Sequence, residues 1–243
     1  MLNITKNSRF FVCGDTHGNH EISKLNTTLW PEQKDLTEND VLIQVGDFGL
    51  IWQQEQDSEE RFWLEWLDSK PFFTLFIAGN HENHWRLNSY PDVPFYGGRA
   101  SFISRKVILL KDGYVYTFGD KKFFMFGGAY SPDKEFRVLG RSWWPEEIPS
   151  YKTMLAGIIN LEKENYNIDY IITHTIPSSI ISVLGVQDIY NDPVSVYLEN
   201  IRMQFIERNK LYKHWFAGHW HIDKTFDDFN FSITYNNKPM EIK

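Results

Sequence analysis

Five apolar runs in this chain each break off into a short polar stretch. They are Phe10-Phe11-Val12, Val41-Leu42-Ile43-Gln44-Val45, Phe72-Phe73-Thr74-Leu75-Phe76-Ile77, Tyr170-Ile171-Ile172 and Trp215-Phe216. β-Branched and aromatic runs of this length, ending in glycine or a polar turn, predict central strands. Between them, residues 20–28 predict a short helix. Residues 58–68 predict an amphipathic one, with Phe62, Trp63, Trp66 and Leu67 at helical spacing, Ser58 as N-cap and Glu59-Glu60 in the first turn. Its tryptophans are assigned to packing on the sheet. The aromatic-rich segments 114–118 and 122–126, joined through Gly119-Asp120-Lys121, predict a hairpin and hence a second, partly antiparallel sheet. Ser150 introduces a helix over 151–165 and Pro193 another over 193–208. Residues 229–235 alternate as a last strand before a turn at Asn236-Asn237. The predicted fold is α/β, two packed mixed β-sheets forming a sandwich flanked by α-helices.

The polar stretches carry the chemistry: Gly14-Asp15-Thr16-His17-Gly18-Asn19, Gly46-Asp47-Phe48-Gly49, Gly79-Asn80-His81-Glu82, Thr173-His174 and Gly218-His219-Trp220-His221. Ligands gather at the carboxyl ends of strands in open α/β sheets, so a metal site is expected there. Asp15 and His17 are two residues apart. If the segment stays extended, both side chains point to one side and can hold one cation. Gly14 and Gly18 allow the tight turn this needs. His219 and His221 repeat the spacing. Asp47 has two oxygens and can bridge two cations, Asn80 offers an amide oxygen, and His174 adds a nitrogen. Mixed oxygen and nitrogen ligation without thiolates suits Mn²⁺, Fe, Zn²⁺ or Mg²⁺, with manganese favoured. Each stretch alone is weak evidence.

Composition narrows the substrate. A formal charge of −7 and a pI of about 5.6 leave no basic footprint, so a small phosphoester fits better than a long nucleic acid. With 42% hydrophobic and 16% aromatic residues, the 243-residue chain can bury a large core. Ligand stretches running from Asp15 to His221 favour one domain over residues 1–243. The lone Cys13 excludes an internal disulfide and reads as a small buried residue. The N-terminus lacks an apolar signal core and no stretch approaches a membrane span, so a soluble, cytoplasmic protein is expected, its oligomeric state open.

The five stretches, in this order over residues 15–221, resemble the calcineurin-like metallophosphoesterases. The resemblance implies one metal held by Asp15, His17, Asp47 and His221. A second would be held by Asp47, Asn80, His174 and His219, with Asp47 and a water or hydroxide bridging the pair. It implies that His81 is the leaving-group acid or a phosphate-binding histidine. The fold it implies is the same two-sheet sandwich. The activity is hydrolysis of phosphomonoesters or phosphodiesters by a metal-activated bridging hydroxide.

The chain also departs from its relatives. The protein-phosphatase branch continues its second motif into an Asp-Arg-Gly whose arginine binds phosphate, whereas here Asp47 is followed by Phe48-Gly49-Leu50-Ile51-Trp52. A Ser/Thr protein phosphatase or a nuclease is the alternative reading, and a non-catalytic metal-bound interaction protein the last. Arg86, Arg99, Arg137 and Arg141 are candidates to replace the missing arginine, with Arg86 closest in sequence. Of the other histidines, His20 and His84 are assigned structural places and His214 an exposed one. Glu82 is read as a salt-bridge acceptor, and Asp92, Asp112, Asp120 and Asp133 as turn residues. Trp143-Trp144 either walls a pocket beside Arg141 or packs in a loop that introduces the next helix.

Overall fold

The computed structural model describes residues 2–185 and 191–242. Strands β1 (Phe10–Cys13), β2 (Val41–Gln44), β3 (Phe73–Phe76), β4 (Val93–Phe95), β5 (Gly98–Phe102) and β6 (Val107–Leu110) enter a first sheet. Strands β7 (Tyr114–Phe118), β8 (Lys121–Phe126), β9 (Tyr170–Thr173), β10 (His214–Ala217), β11 (Lys224–Phe226) and β12 (Phe231–Ile233) form a second. The closing strand β13 (Met240–Ile242) returns to the first, giving orders β13-β1-β2-β3-β6-β5-β4 and β11-β12-β10-β9-β8-β7. Helices α1 (Ser58–Asp68), α2 (His84–Ser89), α3 (Tyr151–Lys163), α4 (Ser178–Val183) and α5 (Pro193–Glu207) complete the set. Among the described residues, no helix is long and apolar enough to cross a membrane.

Alternation along each strand distributes its side chains between two cores. Phe10, Val12, Val41, Ile43, Phe73 and Leu75 face Phe123, Met125, Tyr170 and Ile172 in a cluster between the sheets. Phe11, Cys13, Leu42 and Phe76 pack outward with Leu64 and Leu67 of α1 and with Trp30. Phe124, Ile171 and Trp215 pack outward with Leu161 of α3 and Leu198 and Ile201 of α5. The strands are apolar on both faces because both faces are covered, which is why their sequences run on without alternating.

Parallel pairing places the polar stretches side by side. Cys13, Gln44 and Phe76 lie across from one another in β1, β2 and β3, so Asp15, Asp47 and Asn80 follow at one edge of the first sheet. In the second sheet β9 and β10 are parallel, with Ile172 opposite Phe216, and Gly218 N–H donates to the His174 carbonyl at 2.9 Å.

Several local expectations need correction. Residues 20–28 form only a 3₁₀ turn over Ile22–Leu25, because Asn26 Oδ1 accepts from the N–H groups of Thr28 and Leu29 and ends it. The cap of α1 is Asp57, whose Oδ1 accepts from Glu60 N at 2.8 Å; Ser58 is the first helical residue. The last alternating segment contributes only Phe231–Ile233 to a strand. Before it Asn230 adopts φ +49°, and after it Asp223 captures the N–H groups of Tyr235, Asn236 and Asn237. His214 is not exposed: it opens β10, half-buried, with Nε2 2.8 Å from Ser232 Oγ.

Candidate metal centre

The strand ends bring the candidate ligands of both sheets into two groups that share Asp47. Ligand atoms of Asp15, His17, Asp47 and His221 lie within 4.8 Å of one another, as do those of Asp47, His174 and His219. Asn80 joins the second group, its Oδ1 3.1 Å from His174 Nε2. Asp47 sits between the groups, with Oδ2 3.2 Å from His17 Nε2 and Oδ1 3.2 Å from His174 Nε2. Asp15 Oδ2 is 3.5 Å from His221 Nε2.

Backbone strain holds this arrangement. His17, Asp47, His219 and His221 all have left-handed backbones, with φ of +43°, +47°, +66° and +50°. Each such non-glycine residue costs about 1–3 kcal/mol and persists only where its surroundings impose it. Here the Asp47 carbonyl accepts the N–H groups of both Thr16 and His17, at 3.0 and 2.9 Å. Asp15 and His17 thus converge through a left-handed turn and not through an extended segment. Gly14 has no positive φ either; a side chain there would strike the Thr234 carbonyl. Likewise a Cβ on Gly79 would meet Asp47 Oδ1, and one on Gly218 would meet Asp15 Oδ1. These glycines serve close approach.

The charge balance of the donor set fits cations. Asp15 and Asp47 are 0% and 1% exposed. Burying two carboxylates this close is costly unless positive charge lies between them. Burial and the charge of Asp47 push Asp15 up to about 7, against the pull of His174 and His17. Asp47 also suffers burial, but the charge of His174 and hydrogen bonds from His17 and His174 hold it well below the usual carboxylate range. The imidazoles follow. Burial lowers His17 and His174, yet the carboxylates outweigh it and raise them to about 9 and about 10. Desolvation and the charge of His174 lower the half-buried His219 to about 3, and desolvation lowers His221 as well. Protons gather where cations would bind.

Supporting groups aim the ligands. His174 Nδ1 is 2.9 Å from the Val45 carbonyl and His17 Nδ1 is 3.1 Å from Glu21 Oε2, which leaves each Nε2 to face the centre. The His221 ring stacks on Tyr235 at 4.4 Å. Glu82 makes no salt bridge among the described residues. Fully buried, it accepts from Phe48 N at 2.7 Å, Gly49 N at 3.3 Å and Gly79 N at 3.0 Å, tying the second and third motifs together. Burial, then the charge of Asp47, raises it to about 8. Asn80 Nδ2 donates to Ser131 Oγ at 3.1 Å, and Ser131 Oγ donates to Glu147 Oε2 at 2.6 Å, so Asn80 Oδ1 is turned to the centre.

His81 borders the metal groups. Its N–H donates to Asp47 Oδ1 at 2.7 Å and its ring meets that of His17 edge-on at 5.0 Å. Trp52 stacks on it at 5.9 Å, and the fully buried Trp144 meets Trp52 edge-on. Trp144 therefore packs in the loop and braces the wall of the site. Burial lowers His81 to about 4, with Asp47 opposing and Arg137 assisting. Beside His17 and His81 lies a cavity of about 350 Å³, also lined by Trp52, Asn19, His20 and Glu59. His84 is structural, its Nε2 3.0 Å from the Gly79 carbonyl. Glu21, four residues after His17, and Glu82, inside a motif, left a trace in the sequence; Trp52, Ser131, Glu147 and Tyr235 left none.

The crystal structure of phosphopantetheinyl hydrolase from Mycobacterium tuberculosis is similar in fold, at TM-score 0.51 and 16% identity, over 97% of this chain and 95% of that one. No curated protein matches the chain in sequence. The model of the calcineurin-like phosphoesterase family matches residues 8–223, a span that holds all eight residues gathered at these strand ends. The chain belongs to the calcineurin-like phosphoesterase family.

Proposed function

We propose that the chain hydrolyses small phosphomonoesters or phosphodiesters at two divalent cations. Asp15, His17, Asp47 and His221 would hold one, and Asp47, Asn80, His174 and His219 the other. The observation that carries this is the shared Asp47, one carboxylate presenting one oxygen to each donor group. A bound pair of divalent ions would polarise the phosphoryl group, acidify an attacking water and stabilise both the entering and leaving oxygens.

The chain's own residues do the rest. Glu82 and the Ser131–Glu147 pair fix the ligand loops, and Trp52 fixes the plane of His81. We assign His81 as the leaving-group acid. In the resting arrangement Arg137 donates to its Nε2, so the imidazole is neutral. A phosphoester that draws Arg137 away and brings negative charge favours a proton on that nitrogen.

A panel of mono-, di- and cyclic phosphoesters, phosphopeptides and short oligonucleotides, assayed on metal-free protein with Mn²⁺, Fe²⁺, Zn²⁺ or Mg²⁺ added back, tests this reading. Metal-dependent turnover of a small ester is expected, with weak, salt-insensitive binding to DNA and RNA. Metal-loaded protein inert across the panel would overturn the assignment and revive the scaffold reading. Turnover confined to phosphopeptides or to nucleic-acid ends would replace it with the protein phosphatase or the nuclease.

A further inference from the structure

The second motif lacks the arginine of the protein-phosphatase branch: four residues after Asp47, where that arginine would stand, is the buried Ile51. A phosphoryl group still presents oxygens that two cations alone do not cover, so a further donor has a place to act. Two of the four candidate arginines are engaged elsewhere, and a third is exposed beside the site. Arg86 is committed to the buried Glu60 through contacts of 2.6 and 2.9 Å. Arg99 lies on β5 and pairs with Asp92. Arg141 is exposed and lines a neighbouring cavity that shares Gln53 and Asp57 with the one beside His81, with no contact to the histidine.

Arg137 is different. Its Nη2 lies 2.9 Å from His81 Nε2, and its side chain is only 11% exposed although it belongs to the irregular segment between β8 and α3. Its Nε faces Asp133 Oδ1 at 2.8 Å and its Nη1 reaches the Ser142 carbonyl at 3.4 Å. Each terminal nitrogen carries a second N–H beyond these contacts, in the planar fork that matches two phosphoryl oxygens. The segment is braced. Gly140 N–H donates to the Trp143 carbonyl at 2.8 Å, Trp144 packs on Trp52, and Ser131 is held by Glu147. A guanidinium fixed in this way loses little freedom when an anion arrives. Its contact with a neutral imidazole is weaker than one with a phosphoryl group, where both partners are charged and two parallel bonds can form.

We propose that Arg137 binds the phosphoryl oxygens of the substrate, leaving His81 Nε2 free when it does so. The proposal rests on the phosphoesterase reading above but concerns anion binding, so the two fail separately. If the reading fails, the unaltered protein turns over no phosphoester. If this proposal fails, an active enzyme binds phosphate equally well without Arg137.

The test is calorimetric titration of the metal-loaded protein with inorganic phosphate, alongside metal titration of the same variants. Arg137→Ala is expected to weaken phosphate binding about 10–100-fold, the loss of hydrogen bonds to a charged group. The metal isotherm should be unchanged. Arg137→Lys should recover part of the affinity, because a point charge lacks the fork, and added guanidinium should partly rescue Arg137→Ala. Arg141→Gln should bind phosphate as the unaltered protein does. If alanine disturbs the metal isotherm, Arg137→Gln, which keeps the length of the side chain without its charge, is read in its place. Undiminished phosphate affinity without Arg137, an equal loss in Arg141→Gln, or loss of metal binding in both neutral variants would overturn the proposal.

Discussion

The site is assembled from two kinds of chain, the ends of five parallel strands and the irregular segment between β8 and α3. The strand ends supply every candidate ligand, each placed by pairing register and by a left-handed or side-chain-free backbone. The irregular segment supplies no ligand. It supplies Ser131 and Glu147, which turn Asn80, Trp144, which backs Trp52, and Arg137, which reaches His81. Ligand geometry thus belongs to the sheets and its support to a loop. Substitutions in the two regions should fail differently.

The largest effect is expected at the strand ends. Asp47→Asn weakens a ligand common to both groups and should cost several kcal/mol of transition-state stabilisation, about 10³-fold or more in turnover. His174→Ala should be similarly disabling; a mild loss in both, measured at saturating metal, would move the chemistry elsewhere. Next is His81→Ala, where losing a general acid should cost about 10²–10⁴-fold on alkyl esters and less on aryl esters, whose leaving groups need little protonation. Equal losses on both would exclude His81 as proton donor.

Effects in the loop should be smaller and should fall on metal affinity. Glu147→Gln disturbs the Ser131–Asn80 chain and should weaken metal binding about 10–100-fold, as loss of an outer partner does. Titration of that variant with Mn²⁺ checks this, and unchanged affinity would reduce the chain to a packing role. The pH dependence has a definite sign. Asp15, His17 and His174 have their pKa values raised to about 7, about 9 and about 10, so near neutrality they hold protons that cations must displace. Metal affinity should therefore rise with pH, roughly tenfold per unit for each proton displaced. Titrations in buffers of different ionisation heat would count those protons, and a pH-independent affinity would contradict the balance described for the centre.

The same contrast explains what could be read from the chain. A parallel strand covered on both faces must be apolar throughout, and a glycine is needed wherever a ligand carboxylate crowds the backbone. Phe72–Ile77 and Gly79 therefore announced themselves. The outer ring answers to no period. Trp52, Ser131, Glu147 and Tyr235 come from loops far apart in sequence, and only the packing of the two sheets brings them together. Arg86, the candidate closest in sequence, is tied to Glu60, while Arg137, 56 positions from His81, makes the contact. Glu82 departs from the expected salt bridge for a related reason. A buried carboxylate can be satisfied by three backbone N–H groups, and no spacing rule signals that.

Counting bound metal tests the central claim, a pair of cations sharing Asp47, most directly. Elemental analysis after equilibrium dialysis should find two divalent ions per chain in the unaltered protein. One should remain in His17→Ala and in His219→Ala, each of which strips a single group. Asp47→Asn should lose affinity at both sites together. A single ion in the unaltered protein, or Asp47→Asn retaining two at undiminished affinity, would contradict it.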